Sequence, residues 1–173
     1  MALPYVVESI FAGILLVMAG LFCAMLSQMN ANLQSALQAL PHGPSFRFLD
    51  SLISLIPGSE GTASYLVRGD EAFLEGHFPD NPMMPGVILI EAIAQLGGVV
   101  VQTDLNIPPM SDLRLTAVRA AKIFGAAVPG DILEVHVTVE GRLNQLVQIE
   151  GQIKGPTGLL ATARVTLSGT LAV

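Results

Sequence analysis

Cysteine is almost missing from this 173-residue chain: Cys23 stands alone, which excludes an intramolecular disulfide and a cysteine-based metal site. Histidine is scarce as well, and His42, His77 and His136 are too scattered for a histidine-cluster metal site. Cations are outnumbered: 8 Lys and Arg against 14 Asp and Glu give a net charge of −6, which argues against nucleic acid as a partner. No internal repeat or low-complexity tract occurs. Apolar residues are plentiful, at 51% of the chain against 13% charged, so a substantial core is within reach of one domain, or one domain with an appendage.

The appendage is visible in the charge distribution. Residues 1–39 hold one charged side chain, Glu8, and no Lys or Arg, and residues 9–27 are wholly uncharged. That run is close to the roughly 20 residues a membrane helix needs. It lacks the basic leader and small-residue cleavage site of a secretory signal, and no flanking cations set an orientation. Three readings stand side by side: a membrane anchor, an added helix packed on the domain, or a start assigned too early, with Met25 and Met29 as later starts. The domain proper is expected over 40–173.

Beyond residue 40 the period changes to two. Asp131 to Glu140 alternates, with Leu133, Val135, Val137 and Val139 on one face and Glu134, His136, Thr138 and Glu140 on the other. A turn is expected at Gly141 to Asn144. A second strand over Gln145 to Lys154 points Val147, Ile149 and Ile153 inward. After a turn at Gly155 to Gly158, a third strand over Leu160 to Leu167 puts Thr162, Arg164 and Thr166 on its polar face. These three form an antiparallel meander. Thr62 to Val67 and Arg114 to Ile123 are expected as further strands.

Between them lies an apolar helix that begins near Pro85, which suits a first helical turn, and reaches Val101, with Gly97 and Gly98 weakening its far end or allowing close packing. Its only polar side chains are Glu91 and Gln95, four apart and so on one face. A helix apolar nearly all round must be covered on most sides. The class is therefore α+β, an antiparallel sheet wrapped round one long helix. A carboxylate in such a helix costs several kcal/mol unless it is paired or protonated. A buried carboxyl that keeps its proton is a general acid. His77, on a proline-rich loop 14 positions earlier, is suited to be a base. Gly86, at the helix N-terminus, offers free N–H groups to a developing oxyanion. Base, acid and oxyanion donor together suit an elimination beside a carbonyl. The bland alternatives are a loop-capping His77, a Gln95 that ties backbone, and a Gly86 that only permits a turn. His42 and His136 are read as structural.

The run His77-Phe-Pro-Asp-Asn-Pro-Met-Met-Pro-Gly-Val-Ile-Leu-Ile-Glu91-Ala-Ile-Ala-Gln95 resembles the signature of the β-hydroxyacyl-acyl-carrier-protein dehydratases of fatty-acid synthesis, which have the hot-dog fold. Glu rather than Asp at position 91 resembles the branch that dehydrates without isomerising. Leu40-Pro-His-Gly-Pro-Ser-Phe-Arg-Phe-Leu-Asp50 and Lys122-Ile-Phe-Gly-Ala-Ala-Val-Pro-Gly-Asp131 resemble two further family segments, so the likeness spans roughly 40–168. It implies His77 as base on the α-carbon, Glu91 as proton donor to the β-hydroxyl, the Gly86 N–H on the thioester carbonyl, and Gln95 as support for Glu91. It also implies a homodimer with sites shared between subunits, assembled further into a trimer of dimers, an acyl-carrier-protein or coenzyme A thioester as substrate, no metal or organic cofactor, and a cytoplasmic location unless the N-terminal segment holds the protein at a membrane. The sequence departs from the family at Gly43, Phe124, Gly125 and Ala126, where basic residues or proline are usual. Arg114, Arg119 and Lys122 are the candidates for a positive docking surface. Two other activities fit the fold: an acyl thioesterase, marked by free thiol without enoyl product, and a non-catalytic acyl-binding module, marked by binding without turnover.

Overall fold

The computed structural model describes residues 3–38 and 40–171, with side chains from residue 18 onward apart from positions 26 and 30. The first element is a helix of 36 residues, α1 (Leu3–Gln38). The uncharged run 9–27 falls within it, and the side chains of 9–17 lie outside the described residues. Among the described residues no helix is long and apolar enough to cross a membrane. Met18, Leu21, Phe22, Met25 and Met29 are exposed along α1, whereas Leu33 and Ala36 pack against the core and Leu37 and Leu40 are buried in it. The helix thus docks by its last turns.

A short 3-10 turn (Pro44–Phe46) leads into β1 (Ser51–Ile56) and β2 (Glu60–Leu66), followed by a short helix α2 (Ala72–Gly76) and the long helix α3 (Gly86–Gln102). Four strands complete the chain: β3 (Met110–Ile123), β4 (Ile132–Leu143), β5 (Leu146–Gly155) and β6 (Gly158–Leu171). All six strands form one antiparallel sheet in the order β1-β2-β4-β5-β6-β3. The expected meander is present: Leu133, Val135, Val137, Val147, Ile149 and Ile153 are buried, and His136 sits on the other face, its Nδ1 3.0 Å from Thr62 Oγ1. Two details differ from the sequence reading. A bulge after Val139 carries the β4–β5 ladder on through Arg142 and Leu143, so of the turn expected over Gly141 to Asn144 only Asn144, which has φ 53°, lies in the turn. Pro85 caps α3 from outside (ψ 134°), and Gly86 is the first helical residue.

The sheet wraps α3, which touches β2, β3, β4, β5 and β6. Leu89, Ile93, Leu96, Val100 and Val101 are buried, each apolar side chain contributing about 1.5–3 kcal/mol. Two glycines set how closely helix and sheet approach. A Cβ at Gly151 of β5 would lie 2.3 Å from Ile93 Cγ2, and one at Gly97 of α3 would lie 3.1 Å from Ile149 Cγ1. Gly97 therefore serves close packing, whereas a Cβ at Gly98 would meet only Leu113 at an ordinary 3.8 Å, and neither ends the helix.

A polar corner closes the sheet behind α2. Glu71 accepts hydrogen bonds from the Tyr65 hydroxyl (2.9 Å) and from the N–H groups of Arg68 and Gly69 (2.8 Å each), and Arg68 pairs with Asp50. Burial would push the Glu71 carboxyl up, but the N–H groups and the Tyr65 hydroxyl outweigh it and hold it below its ordinary value. Burial, and then the hydrogen bond to Glu71, push the Tyr65 phenol far up.

Candidate active site

A stripe one turn apart on α3 explains how a carboxyl fits into this helix. Glu91, Gln95, Gly98 and Gln102 line a cavity of about 650 Å³, together with Leu40, Pro41 and His42 and with Met110 and Asp112 to Leu115. The polar face is completed by Gln102, beyond the apolar run. Its amide donates to the Met110 carbonyl (2.7 Å) and accepts from the Met110 N–H (2.8 Å), pinning the start of β3 to the end of α3.

Gln95 is 2% exposed and fully bonded. Its Oε1 accepts the Phe48 N–H (3.0 Å), and its Nε2 donates to the Phe46 carbonyl (2.9 Å) and to Glu91 Oε1 (3.1 Å). The amide thus ties the 46–48 segment to α3 and turns an N–H toward the acid. Glu91 is half-buried, its side chain 22% exposed, and its Oε1 also lies 3.4 Å from His42 Nε2. His42, read from the sequence as structural, is thereby a neighbour of the acid. No sequence signal points to this contact, which joins residues 49 positions apart.

His77 follows α2 as its C-cap. Its Nδ1 lies 2.9 Å from the Met83 carbonyl, and a carbonyl only accepts, so the neutral ring carries its proton on Nδ1 and leaves the Nε2 lone pair free to act as base. Phe78 packs edge-on against the ring with centroids 4.5 Å apart, at φ 55°. A non-glycine residue held there costs on the order of 1–3 kcal/mol, a strain typical of functional loops. The loop continues to Pro85 and Gly86. As first residue of α3, Gly86 has an N–H with no carbonyl one turn back to bond. A Cβ at Gly86 would meet Ile123 of β3 at 3.1 Å.

Glu91, Gln95 and His42 therefore meet in one cavity, whereas His77 is not among the residues that line it. His136 lies on the outer face of the sheet, as expected. Among the described residues no group of three or more His, Cys, Asp or Glu is placed to hold a metal ion.

The FabA-like domain family matches residues 40–163. The 3-hydroxyacyl-[acyl-carrier-protein] dehydratase FabZ of Ehrlichia ruminantium is 37% identical over 113 residues, covering 64% of this chain and 77% of that protein. The protein of the same name from Xylella fastidiosa is 35% identical over 133 residues, covering 75% and 83%. Among solved structures, the dehydratase heterocomplex ApeI:P from Xenorhabdus doucetiae aligns with a TM-score of 0.63 at 21% identity, covering 75% of this chain and 87% of that one. A Streptococcus pneumoniae hypothetical thioesterase with coenzyme A aligns at 0.55 and 14% identity, covering 69% and 84%. These two likenesses carry the fold alone, which is the hot-dog fold expected from the sequence.

Proposed function

From the premise that the chain belongs to the FabA-like domain family, we propose that it is a dehydratase of fatty-acid synthesis, converting a (3R)-hydroxyacyl thioester to the trans-2-enoyl thioester and water. The observation that carries the reading is the built environment of Glu91: a carboxyl on an apolar helix, at the head of a largely apolar cavity, with one oxygen held by a fully bonded buried glutamine. A solvated surface glutamate needs none of this.

In the proposed reaction the Gly86 N–H polarises the thioester carbonyl, acidifying the α-carbon. The free Nε2 of His77 takes the α-proton. Glu91 gives its proton to the β-hydroxyl, which departs as water as the double bond forms. The reaction needs no electron acceptor: the α-proton of the substrate passes to His77, the hydroxyl leaves with the Glu91 proton, and return of a proton from His77 to Glu91, directly or through water, restores the pair.

The site is proposed to be shared between two copies. His77 is absent from the Glu91 cavity of its own chain, and β3, 14 residues long, lies at an edge of the sheet with one side unpaired. A second copy joined along this edge would bring its His77 toward Glu91 and extend the acyl cavity. Residues 40–173 carry the reaction in this proposal and 1–39 form an added segment. The carrier is proposed to be an acidic acyl carrier protein. Arg114, Arg119 and Lys122 are exposed along β3 and take part in no ion pair among the described residues, which supports that docking. The domain is proposed to work in the cytoplasm, with the exposed apolar side chains of α1 as its means of contact with a membrane surface, a point that fractionation of cells decides.

The test is hydration of a crotonyl thioester by purified protein. His77→Ala and Glu91→Gln are each expected to lower kcat by about 10²–10⁴-fold. Turnover at the wild-type rate in both variants, or release of free thiol without enoyl exchange, would overturn the assignment.

A further inference from the structure

Five residues form a closed circuit around the acid. Gln95 holds the backbone on both sides of Arg47, at the Phe46 carbonyl and the Phe48 N–H. The Arg47 guanidinium reaches back to the corner that follows α1: Nε donates to the His42 carbonyl (2.8 Å), a terminal nitrogen to the Leu40 carbonyl (3.0 Å), and the other to Gln38 Oε1 (3.1 Å). This fixes His42, whose Nε2 faces Glu91 Oε1 at 3.4 Å. Glu91 Oε1 returns the circuit to Gln95 Nε2 at 3.1 Å.

The protonation pattern of the ring follows. His42 Nδ1 is buried with no partner, so an N–H placed there would be stranded. On Nε2 the same proton faces a Glu91 carboxyl oxygen 3.4 Å away, without a formed hydrogen bond. Both N–H groups then converge on one oxygen, Oε1, while Oε2 makes no hydrogen bond among the described residues. We infer that His42 is a positioning residue for Glu91: with Gln95 it occupies Oε1 and leaves Oε2 as the oxygen that delivers the proton, and Arg47 sets His42 in place. At 3.4 Å the contact is longer than a formed N–H···O hydrogen bond, and the role inferred for His42 requires it to close when substrate fills the cavity.

The inference rests on the dehydratase reading, and the test separates the two. Steady-state kinetics on the thioester are measured for His42→Leu, which keeps bulk, and His42→Gln, whose amide nitrogen reaches where Nε2 lies. The leucine variant is expected to lose about 10- to 100-fold in kcat, the effect of a misplaced catalytic group, with KM changed by less than about twofold. The glutamine variant is expected to recover most of that loss. Arg47→Met is expected to lower kcat as well, and to add little in the His42→Leu background. Should the leucine variant fail to fold, His42→Asn, too short to reach Oε1, provides the same contrast. A leucine variant within twofold of wild type, a loss carried by KM, or a glutamine or arginine variant out of this pattern would overturn the role. Absence of turnover in the wild type would instead defeat the dehydratase reading. The ring contact is then read by nitrogen NMR: His42 resonances are expected to move in Glu91→Gln while those of His136 stay, and an unmoved His42 would end the proposal.

Discussion

Replacing Gln95 by Met, unbranched and of similar size, removes three hydrogen bonds and little volume. The Phe48 N–H, on a residue 1% exposed, is left without an acceptor, at a cost of about 1–3 kcal/mol. Loss of the bond to the Phe46 carbonyl adds about 0.5–1.5 kcal/mol, and the bond to half-buried Glu91 adds less, because water can replace it. The sum is roughly 2–4 kcal/mol, or a melting point lower by about 5–15 °C for a chain of this size. Gln95→Glu makes a sharper comparison. A carboxylate still accepts the Phe48 N–H, yet it turns an oxygen instead of a donor toward the Phe46 carbonyl and the Glu91 carboxyl. It is expected to be at least as destabilising as Met at pH 7 and to recover on acidification, when the new group gains a proton to donate. The assay is urea unfolding followed by far-ultraviolet circular dichroism, at one protein concentration because association adds to apparent stability. A Met variant within about 0.5 kcal/mol of wild type, or Met and Glu variants with the same pH dependence, would refute the reasoning that this amide ties the 46–48 segment to α3.

Mixed dimers of His77→Ala and Glu91→Gln are expected to regain about a quarter of wild-type activity, since half of random dimers are mixed and each has one intact site; refolding the two inactive variants together and finding none would place base and acid within one chain. Gly151→Ala puts a Cβ 2.3 Å from Ile93 Cγ2 and is expected to destabilise by about 1–3 kcal/mol, more than Gly97→Ala with its nearest contact at 3.1 Å; denaturation midpoints decide. Glu71→Gln is expected to lower stability at pH 7 by about 1 kcal/mol, a modest figure because the group is only partly buried and water can replace some of its hydrogen bonds. The folded carboxyl is held below its unfolded value, so its contribution is complete above about pH 4.5 and fades as pH falls through the depressed value, and the two unfolding curves should converge in acid.

The strands of the meander were legible because one face is buried and the other solvated, so Leu133, Val135 and Val137 alternate with Glu134, His136 and Thr138. β1 was not expected. Its sequence, Ser51-Leu-Ile-Ser-Leu-Ile56, groups the apolar residues in pairs, and of these Ile53 and Ile56 are exposed at the sheet's edge. The turn expected over Gly141 to Asn144 does contain Asn144, the residue that takes positive φ, but the strand runs on through Gly141 to Leu143, where the ladder overrides the breaker signal of Gly141. That Glu91 and Gln95 share one helical face could be read from their spacing, and that Gly86 stands at the start of the helix from Pro85. His42 could not, because its meeting with Glu91 depends on Arg47 folding the 38–42 corner back over α3, a contact made of backbone carbonyls that leave no trace in composition.

The way α1 ends has a practical consequence for anyone excising the catalytic part. The family match runs from 40 to 163, but the folded unit overhangs it at both margins. Upstream, Leu33, Ala36 and Leu37 are seated in the core, and Gln38 is one of the three anchors of Arg47. Downstream, β6 continues to Leu171, where Ser168 and Leu171 pair with Arg114 and Met110 of β3. A fragment cut at the margins of homology would keep Glu91, Gln95 and His77 and yet lose the docked last turns of α1, the Gln38 anchor of Arg47 and most of the strand that pairs with β3. The same chemistry would then sit in a loosened frame.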